Sequence, residues 1–237
     1  VGYSALDANT TANYNTAVGY NTLSANVTGA SNAAFGYNAL AVNTASSNTA
    51  IGWGSLEANT SGDNNTAVGR SALTSNTTGA SNVAVGKGAL DANTTANNNT
   101  AVGDSSLTSN TTGSENTAVG TNALAAATTG HGAGKTMTTG DSNTFIGYLS
   151  GGVGTVTGDT NTALGISAGK NLTSGSNNLL LGKDAGLSGS PGGPIDTESN
   201  EIVLGDENIT SAHIQVSFTV ASDKRDKTDV EPVKMGL

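Results

Sequence analysis

Few side chains in this sequence are of a kind that does chemistry, and their spacing narrows what they could do. Gly134-Lys135-Thr136 has the ending of a phosphate-binding loop, in which backbone amides cradle phosphates and the lysine reaches them. That motif needs a glycine at position 129, where Thr129 stands, and neither a buried strand before it nor a helix after it is expected. We read the triplet as part of an insertion loop. His131 and His213 are the only histidines, and no acidic cluster recurs at metal-ligand spacing, so no metal and no cofactor is expected. Asp206 and Glu207 are the candidates for a carboxylate pair of the glycoside-hydrolysing kind; we read them as surface solvation. Tyr3, Tyr20, Tyr37 and Trp53 share one register position, and an exposed aromatic stripe could stack on sugars. The same position later holds Arg70, Lys87, Asp104 and Thr121, as expected of one that simply faces solvent.

The scaffold that would carry these residues is a repeat. Ala17-Val18-Gly19 returns as Ala34-Phe35-Gly36, Ala50-Ile51-Gly52, Ala67-Val68-Gly69 and onward to Ala118-Val119-Gly120, with glycine gaps of 17, 17, 16, 17, 17, 17 and 17 counted from Gly2. Four residues after each glycine comes a leucine, from Leu6 and Leu23 to Leu107 and Leu124. Seventeen residues are too few for two stacked helices, and helical periodicity is absent. The unit reads as two short strands separated by turns, one coil of an all-β parallel β-roll or β-solenoid. Counting twelve marker glycines to Gly205, such a rod is on the order of 60 Å long.

Composition agrees with an unusual fold. Aromatics are 4% and charged residues 11%, too little bulky apolar matter for an ordinary core. The repeated Val, Ile or Phe and the repeated Leu are expected to form apolar columns, with Ala and Gly small where backbones approach. About two large apolar side chains per coil are thin against ordering 17 residues. Several chains sharing an axis would relieve that shortage, so a homotrimer is expected; an ion on its axis stays open. The net charge of −9 disfavours nucleic acid. There is no cysteine, hence no disulfide framework, and no apolar run is long enough to span a bilayer. The sequence opens at Val1 inside a repeat and without Met, as a piece of a longer protein would.

Asn-x-Thr/Ser triplets recur at Asn9, Asn26, Asn59, Asn76, Asn93 and Asn110. They could accept glycans or form an internal Asn ladder that needs no modification; the ladder is our reading. Threonine pairs such as Thr77-Thr78 raise an ice-binding solenoid as a minor alternative, although that use wants two Thr per coil on one flat strand. Along the chain we expect regular coils over 1–124, an insertion over 125–142, degenerate coils over 143–205 with a Gly/Pro loop at 188–196, and a strand or neck over 206–221. In that neck Ile214, Val216, Phe218 and Val220 alternate with polar residues.

Two resemblances attach to these residues. The Asn-Thr-Ala-Val-Gly units resemble the repeats in the heads of trimeric autotransporter adhesins, and more closely those of phage tail-fibre and tailspike-type proteins. Ser222-Asp223-Lys224-Arg225-Asp226-Lys227 resembles the opening of the endosialidase-type intramolecular chaperone, which would begin at 222–237. That likeness implies self-cleavage between Ala221 and Ser222, with Ser222 as nucleophile and Lys227 as its base, a pairing that works if the lysine pKa is depressed. Asp226 replaces the family's usual apolar residue, and with only the start of that domain present no activity is expected. The implied function is a fibre shaft on a virion or cell surface that presents a surface to a host glycan or protein receptor, without membrane insertion and without metabolic enzyme activity. A bacterial trimeric surface adhesin is the alternative.

Overall fold

In the computed structural model, residues 1–124, 139–151, 156–190 and 192–211 are described. They form one parallel sheet of eleven three-residue strands, hydrogen-bonded in sequence order. The strands are β1 (Thr16–Val18), β2 (Ala33–Phe35), β3 (Thr49–Ile51), β4 (Thr66–Val68), β5 (Val83–Val85), β6 (Thr100–Val102), β7 (Thr117–Val119), β8 (Thr144–Ile146), β9 (Thr162–Leu164), β10 (Leu179–Leu181) and β11 (Ile202–Leu204). Register is strict: Thr49 pairs with Thr66, Ala50 with Ala67 and Ile51 with Val68. The protein is therefore an all-β solenoid with one strand per coil. Ten spacings of about 4.8 Å give a sheet about 48 Å long.

The expected second strand around each Leu is not a strand. From Leu6 to Leu124 these leucines hold φ between 48° and 57°, the left-handed region that costs an L-residue about 1–2 kcal/mol. Complete burial of Leu23, Leu40, Leu56, Leu73, Leu90, Leu107 and Leu124 offsets this by about 1.5–3 kcal/mol each. The corner is also held between coils, the Leu73 amide donating to the Ala89 carbonyl at 3.0 Å and that of Leu107 to Ala123 at 2.9 Å. A tight left-handed corner turns the chain within the few residues a 17-residue coil can spare.

The interior differs from expectation in a second way. The middle strand residue points inward, so Ala34, Ala50, Ala67, Ala84, Ala101 and Ala118 are fully buried. The Val/Ile/Phe column faces outward instead, with Phe35 at 39% and Ile51 at 43% exposure. Residues two apart share a strand face, so Thr and Val of Thr-Ala-Val go together, and a narrow coil admits only Ala beside Leu.

Polar residues fill the rest of the core as two asparagine columns. In the first, Asn59 Nδ2 donates to Asn43 Oδ1 at 2.7 Å, Asn76 to Asn59 at 2.8 Å and Asn93 to Asn76 at 2.8 Å. Each also closes its own turn, as when Asn76 Nδ2 donates to the Gly79 carbonyl at 2.9 Å. The second column stands just before the strands. Asn82 Oδ1 accepts the Asn99 amide at 2.9 Å, and Asn82 Nδ2 donates to the Ala96 carbonyl at 2.8 Å. Asn82→Ala leaves the Asn99 amide buried without an acceptor, and we expect it to cost about 1–3 kcal/mol in urea unfolding. Asn97→Ala, on the exposed side of the same coil, serves as the mild comparison.

Coils after the insertion change their filling but keep the stack. β7 pairs with β8 in register, Thr117 opposite Thr144, and the Asn143 amide still donates to Asn116 Oδ1 at 3.0 Å, so the strand ladder and the second asparagine column both continue. Phe145 takes the inward place of Ala and is fully buried, while Gly151 stands where Leu would. Leu180 and Gly186 repeat that exchange, and Ile195, 3% exposed, folds back to lie beside Gly186 and Leu180. The 188–196 loop is held by Ser190 Oγ, which accepts the amides of Gly186 and Leu187 at 2.8 and 3.1 Å.

Candidate binding face

Two surfaces of the rod differ from the uniform repeat. The first is the outer face of the sheet. Its outward side chains, two from each of the eleven strands, are Thr, Ala, Val, Ile, Leu and Phe, with no charge among them. Val18, Phe35, Ile51, Val85, Leu164, Ile202 and Leu204 are 36–69% exposed on it.

The second surface is the column that follows the marker glycines. The rings of Tyr3 and Tyr20 stack at 5.4 Å with planes 10° apart, Tyr20 and Tyr37 at 5.2 Å and 8°, Tyr37 and Trp53 at 6.0 Å and 7°. Strict coil register produces this ladder, because each ring repeats its neighbour's position one strand spacing away. The Arg70 guanidinium continues it, 5.3 Å over the Trp53 ring. The faces of the inner rings are thus taken up by one another, and the stripe offers edges and phenol hydroxyls rather than flat faces.

Beside Arg70 the column opens into a cavity of about 280 Å³ lined by Arg70, Ser71, Lys87, Asp91, Ser105 and Thr108. Asp91 Oδ1 is buried without a hydrogen-bond partner, and burial pushes the Asp91 carboxyl above its ordinary pKa. Lys87 has a loose ion pair with Asp104 at 4.0 Å, both side chains about half exposed or more, which counts for little in water. The sequence marked the aromatic, Arg70 and Lys87 positions. It did not mark Asp91, which follows a corner leucine at a place where Ser24, Ala41, Thr74 and Thr108 also occur.

Asp206 and Glu207 line a second cavity of about 260 Å³ with Lys183 and Asp184. The Asn208 side chain and amide donate to Asp206 at 3.0 and 2.9 Å and hold its carboxyl below the usual range. A general acid for glycoside hydrolysis needs the opposite shift. The triplet asparagines from Asn26 to Asn110 are fully buried and their amides hydrogen-bonded, so the folded coil has no room for a sugar on them. His131, Lys135, His213, the 212–221 part of the neck, the Ala221/Ser222 junction, Ser222 and Lys227 lie outside the described residues.

Among the described residues no group of three or more His, Asp or Glu is placed to hold a metal ion, and no helix is long and apolar enough to cross a membrane. No family model, curated protein or solved structure matches the chain.

Proposed function

We propose that this chain is the shaft of a homotrimeric fibre, of the kind carried by phage tails or similar virion appendages, that presents a receptor-binding surface. The observation that carries the reading is the charge-free outer face of the sheet. A solvated strand face normally holds Lys, Glu or other polar side chains, and an apolar stripe about 48 Å long is a partner surface. Two further copies bringing the same Thr and Val columns to a common axis would bury it symmetrically. Such a shaft supplies length and stiffness, and leaves the varied lateral columns to meet a host cell-surface glycan or protein. Ser222 and Lys227 belong to this reading as the dyad of a self-cleaving chaperone. A bacterial adhesin with the same shaft is the related alternative; a C-terminal membrane β-barrel in the full protein would favour it, a complete chaperone domain the phage fibre.

The test is sedimentation and mass measurement of the protein expressed with its full C-terminal region. We expect a trimer of chains ending at Ala221. Val85→Lys together with Ile51→Lys should disperse it to monomers that keep their β spectrum. A compact monomer in the parent protein overturns the shaft, and uncleaved chains overturn the dyad. A second reading has one specific support: Thr49, Thr66, Thr100 and Thr117 line the flat strand face beside Val and Ile. A monomer showing thermal hysteresis in freezing assays would be an ice binder instead.

A further inference from the structure

Of nine aromatic residues in the chain, five (Tyr3, Tyr20, Tyr37, Trp53 and Tyr148) follow a marker glycine. Four of them form one continuous stack, and the next two coils carry Arg70 and Lys87 in the same column. In a chain of net charge −9 with only nine Lys and Arg, two cations on successive coils at the mouth of a cavity stand out, with Asp104 beside Lys87 and Asp91 in the wall balancing their charge. Asp91 stands in the wall of that cavity, its Oδ1 buried and without a hydrogen-bond partner.

We propose that the Tyr3–Lys87 column and the cavity at Arg70, Lys87 and Asp91 form a lengthwise binding site for an acidic oligosaccharide. The proposal rests on the reading of the rod as a receptor-presenting shaft and names the ligand of one of its faces. Arg70, stacked on Trp53, keeps the in-plane N–H donors of its guanidinium for a carboxylate or sulfate, and Lys87 adds a second charge. Ser71, Ser105 and Thr108 give a hydroxyl-rich wall with Asp91 among them, a polar surface for the sugar's own hydroxyls. The tyrosine edges and phenol hydroxyls then meet successive sugars over five coil spacings, about 24 Å. A single-stranded nucleic acid fits poorly, because the inner ring faces it would stack on are closed.

Trp53 is the only tryptophan, so its fluorescence reports on this site alone. The probes are a galacturonate hexasaccharide, the same chain fully methyl-esterified, a heparin hexasaccharide and neutral maltohexaose. We expect at least one charged hexasaccharide to change Trp53 emission saturably, with the ester and maltohexaose at least about tenfold weaker. Arg70→Gln should weaken the charged ligand at least about tenfold, and Tyr20→Ser less; Lys170→Gln, away from the column, should leave it unchanged. Arg70 is exposed, so Gln should keep the fold, checked by the β spectrum. Binding unchanged in Arg70→Gln, or no charged hexasaccharide bound at millimolar concentration, overturns the site. Sedimentation of the same sample separates the two ideas: a trimer that does not bind refutes only the site, whereas a monomer refutes the shaft.

Discussion

Gly86→Ala should destabilise the rod by about 3 kcal/mol or more, one of the two largest effects expected from a small substitution. Gly86 has φ +141°, which an L-residue adopts only under strain. Space is the harder obstacle. A Cβ there would fall on the carbonyl of Gly103, 2.5 Å from its carbon and 3.1 Å from the Asp104 nitrogen. These are backbone atoms, and the Gly103 amide is itself bonded to the Val85 carbonyl at 2.8 Å. The coils can make room only by opening that ladder. Gly88→Ser, two residues on, is the control: Gly88 has φ +63°, and Ser71 and Ser105 hold the same position at 56° and 54° one coil to either side. It should change stability by less than about 1 kcal/mol. Urea unfolding followed by far-ultraviolet dichroism measures both. Equal midpoints for Gly86→Ala and the parent would refute this account of the coil spacing.

The second large effect is a coupled pair. Phe145→Ala removes the largest fully buried side chain among the described residues, at an expected cost of about 3–5 kcal/mol. Gly151→Leu alone overfills the core there, since even a Cβ at Gly151 would lie 2.7 Å from Phe145 Cδ1 and 2.8 Å from Leu124 Cδ2; about 1–3 kcal/mol is expected. The backbone raises no objection, because Gly151 has φ +65°, close to the corner leucines. Phe145→Ala with Gly151→Leu restores the Ala118/Leu124 arrangement of the coil above. The double variant should be more stable than the sum of the singles by at least about 2 kcal/mol. Additive losses would show that the two sites do not share one volume.

How much of this was legible in the sequence depends on which force left a mark. The 17-residue period, the all-β coil and the Asn9–Asn110 column could be read directly, because an interior without bulk must be filled by the same few side chains at the same interval. The left-handed corner could not. Leucine avoids positive φ as a rule, and only the inter-coil hydrogen bonds and full burial at Leu73 or Leu107 reveal why it accepts it here. The outward Val column was readable but was taken the wrong way: size suggested that Val goes in, whereas the alternation of Thr66 and Val68 about Ala67 already placed both on one side. The same rule would have found the second asparagine column, since Asn65 and Ala67 share the inward face. The Tyr3–Lys87 stripe was visible as a register position, but its ring-on-ring stacking and the cavity at Asp91 are products of coil-to-coil register.

Two asparagines in the first column, Asn26 and Asn110, have a buried Oδ1 that no donor meets. Asn26 abuts the single 16-residue repeat, whose Asn43 turns its amide to the Ala45 carbonyl, and Asn110 stands in the last coil before the 125–138 segment. When such a rod is stretched end to end, load passes between coils through whatever bonds cross each gap, and the gap between Asn26 and Asn43 lacks the Asn–Asn bond that the gaps on either side of it carry. It is a built-in plane of fracture among the coils of 1–124, so shear should part that stretch there and leave an intact block of coils on either side.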